Sequence, residues 1–156
     1  MKPPRSGERV ILYRAVYQEF EHDPLPSRSE HGRFHTAGRS TTYLAGSAET
    51  AWKEVAYRWR ANRAVYRMVE VEIALHEIAD LTEASLQKRY GTDEQALTAD
   101  DHRICQEPAE RLRGDGFEAI WTYSRADRPA GRQLVVLLDK LQKGSRVKVK
   151  KVRRLG

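Results

Sequence analysis

The stretch GRFHTAGRSTTYLAGSAETAWKEV, residues 32 to 55, sets an arginine, a histidine, a tyrosine and several hydroxyls just ahead of a helix that carries Glu54. Arginine suits a phosphate because its planar guanidinium donates two hydrogen bonds at once. A tyrosine offers a flat face to an aromatic ring. One positioned carboxylate stabilises a positively charged, oxocarbenium-like sugar. Two residues outside this stretch extend the set: Arg14 in an opening strand and Ser124 where a later strand ends. Singly, each has an ordinary reading. Arg14 and Arg33 would be surface ion-pair residues, Tyr43 a half-buried strand aromatic, Glu54 a helix residue paired with Arg58 four positions on, and Ser124 a turn hydroxyl. Together they fit a phosphate-bearing ligand held against a carboxylate.

The elements that must position these residues can be read from pattern. RVILYRAVY (9–17) is β-branched and aromatic, as an opening strand should be, and EHDPLPSRSEHG (21–32) is a polar loop with two prolines. TTYLAG (41–46) is a short strand, after which Ser47 caps a helix over AETAWKEVAYRWRAN. Ala48, Ala51, Trp52, Val55 and Trp59 recur at helical spacing and define its buried face, with Glu54 at the edge of that face. VYRMVEVEIAL (65–75) alternates as a half-buried strand with Glu70 and Glu72 facing out. Residues 82–113 read as helix interrupted at Gly91 and at Pro108, where Pro108 is expected to open a fresh helix. GDG (114–116) ends it, FEAIWTY (117–123) and RQLVVLLD (132–139) are strands, and RVKVKKV in the tail alternates as an edge strand. The expected class is α+β: one compact domain with a mixed or antiparallel sheet and flanking helices.

Composition narrows the function classes. The chain has 156 residues and a net charge of +6, which favours anionic partners without choosing among them. Seven basic residues and no acidic one lie in the tail KGSRVKVKKVRRLG (143–156), so the body is close to neutral. No apolar run is long enough to span a bilayer, and the opening MKPPRSGER does not read as a secretory signal. No membrane partner is expected, and cytoplasmic residence is the default. A lone Cys105 excludes a disulfide framework and any multi-cysteine zinc site. No metal is expected either, because His31 and His35, though four apart, flank a glycine in a loop. There is no G-x-S-x-G elbow and no phosphate-binding Walker loop. Gly114, Gly116 and Ala119 match G-x-G-x-x-A but follow a helix and enter a strand, the reverse of the dinucleotide-binding context.

The surviving set is needed together if the ligand is a nicotinamide dinucleotide. Nicotinamide is already a cationic leaving group, so its glycosidic bond breaks without a general acid, unlike the bonds cut by two-carboxylate glycosidases. GRFHTAGRSTTYLAGSAETAWKEV, followed far downstream by GFEAIWTYSRADRPAGRQLVVLLD, resembles the RES domain family, toxins of bacterial toxin–antitoxin pairs. The resemblance runs from Leu12 to Leu138 and leaves out the basic tail. Arg33 matches the family's arginine after a glycine, Tyr43 its strand tyrosine, Glu54 its helix glutamate, Ser124 its strand-end serine and Arg14, less specifically, an arginine of the first strand. Two positions depart from the usual pattern: Phe34 and His35 stand where the family has Trp-Asn, and Arg125 directly follows Ser124 where the family has Ala-Arg.

The resemblance implies an ADP-ribosyltransferase-like fold over residues 1–142, with 143–156 as a basic tail or edge strand. It implies destruction of NAD by hydrolysis or phosphorolysis. NAD is then substrate rather than cofactor, and inorganic phosphate is the co-substrate in the second case. Glu54, Arg33 and Ser124 would be catalytic, and Arg14, Arg33, Tyr43 and Ser124 would bind NAD. The implied partner is an Xre-type antitoxin that covers the active site. DNA would be reached only through that antitoxin, with room for a homodimer within the complex. The competing readings are an endoribonuclease-type toxin and a non-catalytic module for ADP-ribose or nucleic acid. A near-neutral body weighs against the first, since RNA phosphates call for basic residues spread over the surface.

Overall fold

Alternation decides the central strands. Leu12 and Val16 are buried on one side of β1 (Val10–Tyr17), and Val69, Val71 and Ile73 are buried on β3 (Tyr66–Ala74). A computed structural model describes residues 1–58 and 62–155. Between these two strands come a 3-10 turn (Gln18–Phe20), β2 (Thr41–Ala45) and α1 (Ala48–Arg58). After β3 follow β4 (Ile78–Asp80), α2 (Ala84–Arg89), α3 (Glu94–Leu97), α4 (Arg103–Gly114), β5 (Ala119–Tyr123), β6 (Arg132–Leu137) and β7 (Arg146–Arg154). The strands form one sheet in the order β4-β5-β6-β2-β1-β3-β7, antiparallel throughout except for the β4–β5 pair. The fold is thus a single α+β domain with a mixed sheet. Among the described residues no helix is long and apolar enough to cross a membrane.

One face of the sheet supplies the largest core, in which Leu12, Leu44, Val69, Val71, Trp121 and Leu134 pack together. The opposite face is covered in two pieces. Phe34, Tyr90, Leu97, Cys105 and Leu112 of the helical region and its neighbours pack on Ile120 and Val135. Ala48, Ala51 and Trp52 of α1 pack with Tyr13, Met68, Tyr66 and Leu155. Tyr43 and Ala45, on that same face of β2, fall at the border between the two pieces. Trp59, expected on the buried face of α1, lies outside the described residues. So does the Glu54–Arg58 pairing, since the side chain of Arg58 is not among those described.

Two expectations are corrected. Pro108 does not open a helix but lies inside α4, at its sixth residue. A proline there removes a backbone donor and crowds the carbonyl four residues back, costing ~3 kcal/mol. The stripe of Cys105, Pro108, Ala109 and Leu112, all buried, outweighs that cost. β4 falls in a segment read as no element. It has three residues and only two apolar ones, too few to show a period, and its parallel partner β5 lies some forty positions downstream. The tail residues Arg146–Arg154 form β7 on the outer edge of β3, where Lys148 faces Glu72, Lys151 faces Glu70, and Arg153 stands 3.7 Å from Glu70.

A fully buried carboxylate fastens the strand ends together. Glu118, at the start of β5, accepts from the backbone N–H of His76 (2.8 Å) and Glu77 (3.1 Å), and from that of Gln142 (2.6 Å). Desolvation pushes its pKa up, but these donors and the Ser145 hydroxyl more than offset it and hold the group below the usual carboxylate range. A carboxylate depressed in the folded state contributes stability that is full above its unfolded pKa and lost as pH falls through the folded value. Glu118→Gln should therefore destabilise the protein at neutral pH by about 1–3 kcal/mol. It should also flatten the acid limb of the stability profile, as read by urea unfolding from neutral pH down through the carboxylate range. An unchanged acid limb would remove Glu118 from this role.

Candidate active site

β1 and β2 pair at a single position, Tyr13 opposite Ala45. Beyond it the strands part, and the gap opens into a cavity of about 480 Å³. A volume of this size is ordinary for a small-molecule site. Its walls come from β1, β2, α1, the start of β3 and the loop before β2, and they include Arg14, Arg33, Tyr43 and Glu54. Four of the five residues singled out in the sequence thus meet in one cavity. The fifth, Ser124, lies fully buried behind Glu54.

Arg14 alternates with Leu12 and Val16 on β1, so its side chain starts toward the apolar core. It turns into the gap instead. Its Nε donates to the Pro24 carbonyl (3.0 Å) and its Nη1 to the Tyr43 carbonyl (3.2 Å). The guanidinium thereby reaches, across the gap, a backbone acceptor of the strand that β1 no longer pairs with. Desolvation pushes the Arg14 pKa down to about 10, opposed by Tyr43 and aided by the nearby charge of Arg28. The group stays cationic at neutral pH.

Arg33 stands at the tip of a tight turn in which the Gly32 N–H donates to the His35 carbonyl (3.0 Å). A side chain at position 32 has no room, because a Cβ there would sit 2.5 Å from the Tyr43 hydroxyl. That hydroxyl is the pin of the turn. It accepts from the Phe34 N–H (3.0 Å) and meets His35 Nδ1 at 2.6 Å, while His35 Nε2 meets the Ser29 carbonyl at 2.8 Å. A carbonyl can only accept, so Nε2 carries the proton and Nδ1 accepts from Tyr43. Burial pushes the Tyr43 phenol far above the usual tyrosine range, although the Phe34 N–H, Arg14 and Arg33 pull the other way. Gln106 of α4 closes the turn from outside by donating to the Gly32 carbonyl (2.9 Å). Arg33 itself is buried and donates to the Ala99 carbonyl between α3 and α4. His35 is buried with both ring nitrogens engaged, whereas His31 is exposed, so the two do not form a ligand pair.

Glu54 is delivered by α1, and α1 is tied down at its start. Ser47 caps it by accepting from the Thr50 N–H (3.1 Å). The Thr50 hydroxyl donates to Asp127 (2.7 Å), and Lys53 Nζ lies 3.1 Å from the same carboxylate. Asp127 belongs to the β5–β6 loop, and Thr50 first, then Lys53, hold its carboxyl below the usual range. The same loop begins with Ser124, whose hydroxyl donates to Glu54 Oε1 and whose N–H donates to the Gly131 carbonyl (2.9 Å). Arg125, at the position departing from the family pattern, donates to the Thr98 carbonyl and pairs with Asp100. It grips the α3–α4 connection that also receives Arg33. Asp127, Thr50 and the Tyr43 hydroxyl went unnoticed in the sequence. So did Arg28, which lines the cavity too. Three arginines and one glutamate therefore line the cavity, a balance that suits a polyanion with a cationic centre.

The RES domain family profile matches residues 11–155, so the match takes in β7, which lies beyond the sequence resemblance ending at Leu138. The fold is similar to that of a chain in the crystal structure of the M. tuberculosis MbcT–MbcA toxin–antitoxin complex. The TM-score is 0.77 and the identity 18%, over 96% of this chain and 86% of that one. At that identity what is shared is the fold. No curated protein sequence matches.

The pinned turn makes Tyr43 more than a ring face. Tyr43→Phe should keep the ring but leave the Phe34 N–H and His35 Nδ1 without partners, lowering stability by about 1–3 kcal/mol. Urea unfolding of the variant checks this. Wild-type stability would mean that the turn holds Arg33 without the hydroxyl.

Proposed function

Because the chain belongs to the RES domain family, we propose that it is the toxin of a toxin–antitoxin pair and acts by cleaving the nicotinamide–ribose bond of NAD. The observation that carries this reading is the convergence of Arg14, Arg33, Tyr43 and Glu54 on one cavity, with Ser124 bonded to the carboxylate from behind.

In this reading the arginines hold the pyrophosphate and so fix the position of the nicotinamide ribose. Arg33 can offer a bidentate fork, since its turn and its contact with Ala99 already orient the guanidinium. Tyr43 places an immobile ring where nicotinamide can stack. As the C–N bond lengthens, positive charge grows on the ribose and nicotinamide leaves neutral, taking the bonding electron pair. Glu54 faces that charge. A low-dielectric cleft strengthens the attraction, and a carboxylate fixed in advance needs little reorganisation as the charge develops. Ser124 acts through Glu54 as a positioning residue: its hydrogen bond to Oε1 selects one orientation of the carboxylate. The acceptor that then attacks the ribose is water, inorganic phosphate or a protein side chain. The toxin–antitoxin setting of the structural neighbour supports an antitoxin partner. A carboxylate from such a partner would satisfy the same arginines and exclude NAD. Outside β7 the chain is close to charge-balanced and does not spread basic residues over its surface, which favours a single dinucleotide over an RNA strand as ligand.

Purified protein mixed with NAD should release nicotinamide, and mass spectrometry of the other product with and without phosphate identifies the acceptor. Glu54→Gln should lower kcat by on the order of 10²–10³ with the thermal transition preserved. Wild-type turnover by that variant would overturn the assignment. Arg33→Ala should raise KM more than it lowers kcat, and Arg33→Lys should recover part of the loss, because a point charge cannot form the forked contact. Equal NAD affinity in Arg33→Ala and wild type, measured by calorimetry, would remove Arg33 from the phosphate site.

A further inference from the structure

The residues assigned so far occupy only part of the cavity. Another part of its lining is aromatic: Tyr17 at the end of β1, Phe20 on the following turn and Tyr66 at the start of β3, of which only Tyr66 also packs into a core, beside α1. Tyr17 is 39% exposed, and its ring meets that of Tyr66 edge to face, with centroids 5.8 Å apart. Tyr66 meets Trp52 of α1 in the same way, also at 5.8 Å. Tyr17 is thus held by Tyr66, and Tyr66 by Trp52 of α1. Arg28 lies over Phe20, 4.6 Å from the ring centroid, where it also donates to the Asp23 carbonyl and stands 3.6 Å from the exposed Asp23 carboxylate.

Strand register places this wall relative to the reacting end. Tyr13, Ala45, Gln133 and Thr122 lie on one row across the sheet. Ser124, which marks Glu54, lies two residues to one side of that row, and Tyr17 lies four residues to the other. Six strand residues span about 20 Å. Arg14, next to Tyr13, falls between the two ends, and Arg28 acts on Arg14 electrostatically from the aromatic side. Along the strands the order is therefore the carboxylate end, then Arg14 with the Tyr43 ring beside it on β2, and last the ring of Tyr17.

We infer that Tyr17, Phe20 and Tyr66, with Arg28 beside them, form a purine subsite that seats the adenosine half of the dinucleotide, an assignment that rests on the NAD reading above. Rings already held edge to face lose little freedom on binding, and a purine has a π-face for them to stack on. Arg28 sits where the adenosine-side phosphate would pass. The subsite makes the enzyme selective for a dinucleotide, because a nicotinamide mononucleotide fills only the reacting end.

The test compares NAD with nicotinamide mononucleotide as substrates, and AMP as a ligand, for wild type, Tyr17→Ala and Tyr17→Phe. Tyr17 is partly exposed on a strand end, so its truncation should leave the fold intact. Wild type should favour NAD in kcat/KM, and Tyr17→Ala should lower the NAD-to-mononucleotide ratio by about tenfold, the effect of losing one stacking ring. Tyr17→Phe should restore the ratio. AMP should bind wild type in calorimetry and bind Tyr17→Ala about tenfold more weakly. An unchanged ratio in Tyr17→Ala, or equal losses on both substrates, would overturn the subsite. If neither substrate releases nicotinamide in wild type, the NAD-cleavage reading fails, while AMP binding that depends on Tyr17 would still support a purine site. AMP binding indifferent to Tyr17 would overturn it.

Discussion

The contact between Tyr13 and Ala45 is the single backbone pairing that joins β1 to β2, and the site depends on how little of a ladder it makes. A full ladder would zip the sheet shut and leave no cavity. No ladder would leave buried backbone groups of both strands without partners, which folded proteins avoid. Arg14 resolves this by reaching across the gap to the Tyr43 carbonyl and back to Pro24. Its charge is costly to bury there, as its lowered pKa reports. The same cost keeps an anion-seeking group at the floor of the cleft. A residue needed to hold the gap open is thus also one that a pyrophosphate would find.

Around that gap the protein fixes Arg33 and Glu54 from opposite sides. Arg33 is set by the Gly32–His35 turn, which depends on the Tyr43 hydroxyl, His35 and Gln106. Glu54 is set by α1, whose start is tied to Asp127 through Thr50 and Lys53 and whose carboxylate meets Ser124. Both sets of ties close on the β5–β6 loop and the α3–α4 connection, where Arg125 and Arg33 grip neighbouring carbonyls. Arg33 and Glu54 are therefore held by one shared frame. Rearranging that frame would move both side chains together.

Much of this was legible in the residues, for reasons of period and of chemistry. The strands at 10–17, 66–74 and 132–137 announce themselves because they alternate or, as over 134–137, are apolar toward a core on each face. Ser47 reads as a cap and behaves as one. Arg33, Tyr43 and Glu54 were visible as a set because their chemistry has a common use. What escaped was whatever depends on distant partners. β4 is too short to show a pattern and exists only beside β5. Pro108 sits mid-helix because burial along with Cys105, Ala109 and Leu112 outweighs a local rule. Glu118 looks like an outward residue of a strand until three backbone donors from two other segments close on it. The place of His35 in the pinned turn rests on Tyr43 and Ser29, which take its two ring nitrogens.

The central claim is one of orientation: a dinucleotide lies along the cleft with its pyrophosphate against Arg14 and Arg33 and its nicotinamide ribose facing residue 54. A crystal structure of the Glu54→Gln variant soaked with NAD tests it most directly, because that variant should hold the intact substrate. The account predicts phosphate oxygens within hydrogen-bond distance of the Arg14 or Arg33 guanidinium groups, and C1′ of the nicotinamide ribose beside the Gln side chain at position 54. NAD bound outside the split between β1 and β2, or bound within it with the nicotinamide ribose turned away from position 54, would contradict the account.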